Sequence, residues 1–261
     1  YLPTYAAVAW YHNRVADRPA TVEEFVAQAR EFANGAYASA LAKGQDITPA
    51  ERDSVAQQLS RFTGISADYI KQANLRLDLQ RFRKELLRGQ RETVGRFDGR
   101  YLGVDADAAG EGPEFDASDT AISGLYIGSF LDLLGGKLGY KTDLDYRLSA
   151  REGGAFDWDW SHDGPGRGYG SHQNVADVTV DLSSAMRTNP HLRVLSLNGY
   201  YDMATPFFST ERDLKHMMLP AELQKNLEFR YYPAGHMVYL NPEALHQMRL
   251  DMQRYYAQGA R

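Results

Sequence analysis

Apolar residues along the first third of the chain recur at the spacing of one helical face. Val22, Phe25, Val26, Ala29 and Phe32 follow Thr21, and Thr21 with Glu24 makes a capping box, so a helix starts at Val22. Thr48, Pro49 and Glu51 mark a second start, and Gly64 is a natural stop just past Phe62. Ser66 is positioned to cap a short helix through Tyr69 and Ile70. Asp78 does the same for "LQRFRKELLRG", which the pattern ends at Gly89. Short connections between these segments predict a compact helical region. "TVGRFDGRYLGV" reads as a hairpin with Asp98-Gly99 at its turn, and "SDTAISGLYIGSFLDLLGG" as an apolar helix closed by Gly135-Gly136.

The pattern changes near the C-terminus. "LRVLSL" and "LEFRYY" are short runs of strand formers without polar alternation, as in buried parallel strands. Between them "TPFFSTERDLKHMM" reads as a helix with Thr205 as cap. After them "NPEALHQMRLDMQRYY" reads as an amphipathic helix capped by Asn241. Strand, helix, strand, helix predicts a parallel α/β layer with right-handed crossovers. Chemistry in such layers gathers at the carboxyl ends of strands. Asp202 follows the first strand in "LNGYYDMATP", and His236 follows the second in "YYPAGHMVYL". Neighbouring strands bring both side chains to one rim, where a carboxylate can orient an imidazole and fix its tautomer.

Composition narrows the functions open to the chain. A net charge of -5 over 261 residues, with no long basic run, argues against a nucleic-acid partner. No apolar run is long enough for a membrane span. The absence of cysteine excludes disulfides, thiol nucleophiles and thiolate metal ligands. Two acidic stretches have the look of metal sites. "DADAAGEGPEFD" places Asp105, Asp107, Gly110 and Asp116 at calcium-loop offsets, but Ala109 stands at a ligand position and the flanks are not a helix pair. "DWDWSHD" offers Asp157, Asp159, His162 and Asp163 without a helical i, i+4 pair. Both read as loops, the second with Trp158 and Trp160 packed on the core or rimming a cleft. No metal or other cofactor is expected. His12, His172, His191, His216 and His246 read as surface or packing residues.

"NPHLRVLSLNGYYDMATPFF" and "FRYYPAGHMVYL" resemble the two C-terminal motifs of the serine carboxypeptidases, particularly their bacterial branch. "LPTYAAVAWYH" and "RFRKELLRGQRETVGRFDGRYLG" are similar to parts of the helical cap of that family. Many members carry a proline two residues after the methionine that follows the histidine; here that position is Tyr239, which points to the bacterial branch.

The resemblance implies an α/β fold: the C-terminal part of an α/β-hydrolase core (166–261) with a mainly helical cap (1–165). It implies a serine-type carboxypeptidase acting through an acyl-enzyme, with Asp202 as triad acid and His236 as general base. Met237 and Tyr239 would bind substrate beside the base or simply pack in the core. It further implies a peptide substrate and an extracytoplasmic location, periplasmic or secreted. An esterase or acyltransferase on the same scaffold, or a non-catalytic interaction module derived from it, stays open. The nucleophile is not evident. Ser123, Ser129, Ser161, Ser171 and Ser196 all lack the strand-turn-helix elbow with flanking glycines that presents such a serine. The expectation is therefore that the serine belongs to an upstream segment or to a second chain.

Overall fold

The computed structural model describes residues 1–147, 159–165, 172–173 and 177–259. It is a mixed fold, mainly helical with short strands. The chain divides into two compact units. One comprises Tyr1–Asp119, Leu195–Arg212 and Glu228–Arg261; the other comprises Thr120–Val194 and Asp213–Leu227. The division at 165/166 separates stretches of sequence, and the compact units cut across it. The reason is a shared core: Tyr200, Tyr201, Met203, Phe207 and Phe208 bury themselves among the N-terminal helices.

The centre of the first unit is α1 (Leu2–Tyr11), buried from Leu2 to Ala9. Its sequence is apolar on every side, so it can only be an interior helix. Around it stand α2 (Val22–Phe32), α3 (Ala38–Lys43), α4 (Pro49–Thr63), α5 (Ala67–Gln72) and α6 (Leu79–Glu85). Phe25, Val26, Leu59, Phe62 and Phe82 fill the space between them, and Tyr5 stacks on Phe82 with centroids 4.0 Å apart. Burying one such phenylalanine stabilises the fold by about 1.5–3 kcal/mol. The caps fall where the sequence puts them. Thr21 accepts from Glu24 N–H, Thr48 and Glu51 form a full capping box, Ser66 accepts from Tyr69 N–H, and Asp78 from Arg81 N–H. α4 stops at Gly64, whose φ is +69°. α6 is shorter than expected: it ends at Glu85, and a 3₁₀ turn (Arg88–Gln90) precedes the hairpin.

The hairpin also differs from its expected form. β1 (Thr93–Val94) and β2 (Leu102–Gly103) pair antiparallel, Thr93 opposite Gly103. Asp98-Gly99 is no tight two-residue turn; it lies inside a loop over residues 95–101 that folds back, Gly95 N–H donating to Tyr101 O at 2.9 Å. A tight turn would leave the loop's backbone groups in water, whereas here they bond to the turns that follow the two late strands. The acidic loop that follows is no calcium cradle. The fully buried Lys84 ammonium bonds Asp105 Oδ2 at 2.5 Å and Asp107 O at 2.5 Å, so the loop is closed around a cation of the protein's own. Asp116 Oδ1 likewise accepts from Arg96 N–H and from Ser118 N–H and O–H.

The helix α7 (Ala117–Asp132) leads into the second unit, and its Leu125, Tyr126 and Leu131 are exposed. This unit holds a two-residue pair, β3 (His162–Asp163) with β4 (His172–Gln173), and α8 (Thr179–Thr188). Met186 of α8 packs with Met217 and Leu219 in a small core, and Ser183 O–H donates to Met217 O at 3.0 Å. Asp157, Trp158 and Ser171 lie outside the described residues; Trp160 is exposed.

β5 (Val194–Gly199) and β6 (Leu227–Tyr232) form a pair joined through α9 (Phe207–Lys215) and α10 (Ala221–Gln224). Val194 N–H donates to Asn226 O and Tyr200 N–H to Tyr232 O. The sequence offset is the same at both ends, which only a parallel pair preserves. α11 (Pro242–Gly259) follows, with Asn241 Oδ1 accepting from Glu243 and Ala244 N–H. It packs Ala244 on Tyr232 and Val238, and its buried Asp251 accepts from Tyr232 O–H at 2.9 Å.

Candidate catalytic site

Asp202 and His236 leave the same ends of the two parallel strands and meet in the first unit. His236 Nδ1 lies 3.0 Å from Asp202 Oδ2. The carboxylate is buried, its side chain 7% exposed, while the imidazole is 38% exposed. The acid is therefore sheltered and the base reaches solvent.

Asp202 is held by a closed turn. Its Oδ1 accepts from Ala204 N–H at 2.8 Å and Thr205 N–H at 3.0 Å. Its Oδ2 accepts the Thr205 hydroxyl at 2.7 Å besides facing His236. The three other contacts of this carboxylate are all with donors, so Oδ2 is an acceptor toward Nδ1, and a neutral ring with its proton on Nδ1 has Nε2 as the bare nitrogen. No other hydrogen bond reaches the His236 ring except one contact, 3.1 Å between Nδ1 and Thr205 Oγ1, and Nε2 has no partner among the described residues. An imidazole held in this way can accept a proton at Nε2.

The loop 95–101 supplies the floor. Phe97 O accepts His236 N–H at 2.7 Å, and the Phe97 ring lies 5.1 Å from the imidazole at a 32° tilt. Gly99 N–H donates to Tyr201 O and Met203 N–H to Arg96 O. Arg100 grips Asp98 with two nitrogens and donates to Pro233 O at 2.8 Å. His12 Nε2 contacts Gly99 O at 2.7 Å, and burial pushes its imidazole below the ordinary range. Burial raises the Tyr200 and Tyr201 phenols to about 12, so they serve as packing rather than acid-base groups near neutrality.

The close approach depends on two glycines. A Cβ on Gly235 would sit 2.5 Å from both Asp98 Cβ and Phe97 O; one on Gly199 would sit 2.3 Å from Gly235 O. Neither distance is tolerated by any side chain.

The other expected residues are placed as follows. Met237 is half-buried and Tyr239 is 55% exposed on the turn after the base, while Val238 between them enters the core. Tyr239 is thus not packed inside. No serine is hydrogen-bonded to His236 among the described residues: Ser196 Oγ bonds Asn198 within β5, Ser161 Oγ bonds Asp159, and Ser123 and Ser129 stay on α7. His162, weighed as a metal ligand, instead contacts Asp181 at 2.7 Å. Among the described residues no three His, Asp or Glu side chains gather as a metal site, and no helix is long and apolar enough to cross a membrane.

Thr205 and Phe97 are the two contributors that sequence reasoning missed. Thr205 was expected to cap α9, but its hydroxyl turns back to Asp202, and Pro206 O opens the helix by accepting from Ser209 and Thr210 N–H. An aspartate three residues ahead of a threonine is a turn signature that could have indicated this. Nothing local marks Phe97. Compared with known proteins, the chain matches no family model, no curated sequence and no solved structure.

Proposed function

We propose that Asp202 and His236 are the acid and base of a serine-type hydrolase triad, in a carboxypeptidase that releases C-terminal residues from peptides. The observation that carries the reading is the buried Asp202 carboxylate, held by three other donors, on Nδ1 of an exposed imidazole whose Nε2 has no partner among the described residues. The parallel pair with acid and base beyond its carboxyl ends supports the C-terminal part of an α/β-hydrolase core, with the N-terminal helices as its cap.

In this reading the serine comes from an upstream segment or a second chain. Nε2 takes the serine proton as the oxygen bonds to the scissile carbonyl carbon. The imidazolium, steadied by Asp202, returns that proton to the nitrogen as the C–N bond breaks. The same base then takes a proton from water as the water oxygen bonds to the acyl carbon, and passes it to the serine oxygen as the acyl–serine C–O bond breaks. Met237 and Tyr239, beside the base, are the substrate contacts, and the setting is extracytoplasmic.

The test is a fluorophosphonate probe, which reacts with activated serines. The chain alone stays unlabelled and releases no amino acid. Adding the serine-bearing polypeptide gives a label on that polypeptide and turnover of blocked dipeptides. Labelling of the isolated chain would falsify the reading. Turnover of short acyl esters without blocked dipeptides would reassign the site to an esterase or acyltransferase.

A further inference from the structure

We infer that the Thr205 hydroxyl is a positioning group for His236, holding the Asp202 carboxylate and through it the proton on Nδ1. The catalytic meaning rests on the proposed role of His236 as base; the geometry does not.

A single contact between Nδ1 and Oδ2 fixes a distance but leaves the ring free to turn about its own side-chain bonds. Thr205 Oγ1 adds a third point, 2.7 Å from Asp202 Oδ2 and 3.1 Å from His236 Nδ1. A threonine hydroxyl has one proton to give. The shorter contact assigns it to Oδ2, which leaves an oxygen lone pair facing Nδ1. An unprotonated Nδ1 would then face two oxygens with no proton between them, so Asp202 and Thr205 both disfavour the tautomer with its proton on Nε2.

Thr205 is itself immobilised, because its backbone N–H bonds Asp202 Oδ1 at 3.0 Å. The Phe97 ring lies beside the imidazole, with centroids 5.1 Å apart. Thr205 is not a concealed nucleophile: its proton is given to Asp202, and it stands on the Nδ1 side of the ring, away from Nε2.

The test reads the histidine directly in the chain as it stands, with ¹⁵N-labelled imidazole and long-range ¹H–¹⁵N correlation. Wild type shows the Nδ1–H tautomer with a slowly exchanging proton. Thr205→Val keeps the shape and loses the hydroxyl, and Thr205→Ala repeats that loss in an exposed position that accepts a smaller side chain. Both speed exchange of the Nδ1 proton about fivefold and bring in the Nε2–H tautomer, the scale expected for one hydrogen bond. Thr205→Ser restores the wild-type spectrum. Valine and alanine spectra that match wild type overturn the inference. So does a serine variant that behaves like valine, because packing of the methyl group would then be the cause. The spectrum needs no nucleophile, so failure to reconstitute turnover would remove the proposed function and leave this result untouched.

Discussion

His236 and His162 each hold an aspartate carboxylate, at 3.0 Å and 2.7 Å, and the longer contact is the one with the surroundings of a site. Asp202 is buried at a strand end and takes three further hydrogen bonds. Asp181 sits in the first turn of α8 with its side chain 39% exposed, and no other hydrogen bond reaches that side chain among the described residues. His236 lies on an aromatic ring and engages its acid through Nδ1; His162 engages through Nε2. A short distance between a base and an acid says little by itself, because a pair with few other contacts can reorient. What separates the two is how many other atoms would have to move before either partner could.

The largest test of that contrast is turnover. In protein supplied with the serine, Asp202→Asn should lower kcat by about 10⁴-fold, the scale known for a triad acid turned to amide. Asp181→Asn should leave kcat unchanged. A loss under about tenfold for Asp202→Asn, or equal losses for both, breaks the comparison.

Next comes packing, read by urea unfolding. Gly235→Ala forces apart the loop and the turn carrying the base and should cost about 1–3 kcal/mol. Gly128→Ala on α7 meets nothing within 4 Å and should be neutral or stabilising by up to about 1 kcal/mol. Equal effects would mean that the close approach around Gly235 is not rigid.

A third test uses pH. Burial lowers the folded-state pKa of His12 from 6.5, so the unfolded chain binds the proton first as the solution is acidified. The stabilising contribution is fully present above about pH 6.5 and is lost as pH falls through the lower folded value. His12→Gln should flatten this part of the melting-temperature profile, and an unchanged slope would place its origin elsewhere. The smallest effect belongs to the half-buried His162–Asp181 pair: Asp181→Asn should change stability by no more than about 0.5 kcal/mol, and a larger change would mean that its hydrogen bond to His162 matters to the fold.

The helical caps were legible because each is decided within four residues. Thr48 with Glu51 and Asp78 ahead of Leu79 carry their partners with them. Asp202 and His236 were legible because strand ends are visible as the limits of apolar runs. Thr205 was misread because a threonine before proline looks the same whether it caps the helix or turns back to an acid. The hairpin was misread because the loop around Asp98-Gly99 takes its shape from Tyr201, Met203 and His236, all remote in sequence. The acidic stretch 105–116 reads as a loop, but its closure around a buried cation was missed for a similar reason. Lys84, in a charged stretch of "FRKELL", gives no sign of being the buried cation around which the acids close.

The three segments that make the site touch mainly through peptide groups: Arg96 O with Met203 N–H, Phe97 O with His236 N–H, Gly99 N–H with Tyr201 O, Ala234 O with Tyr201 N–H. Peptide groups are common to all residues, so the place of the base is encoded in the path of the chain more than in the side chains along it. A diverging lineage can exchange the exposed Arg96 and keep the base where it is. It cannot exchange Gly199 or Gly235, which makes two residues without side chains the least replaceable letters of this part of the sequence.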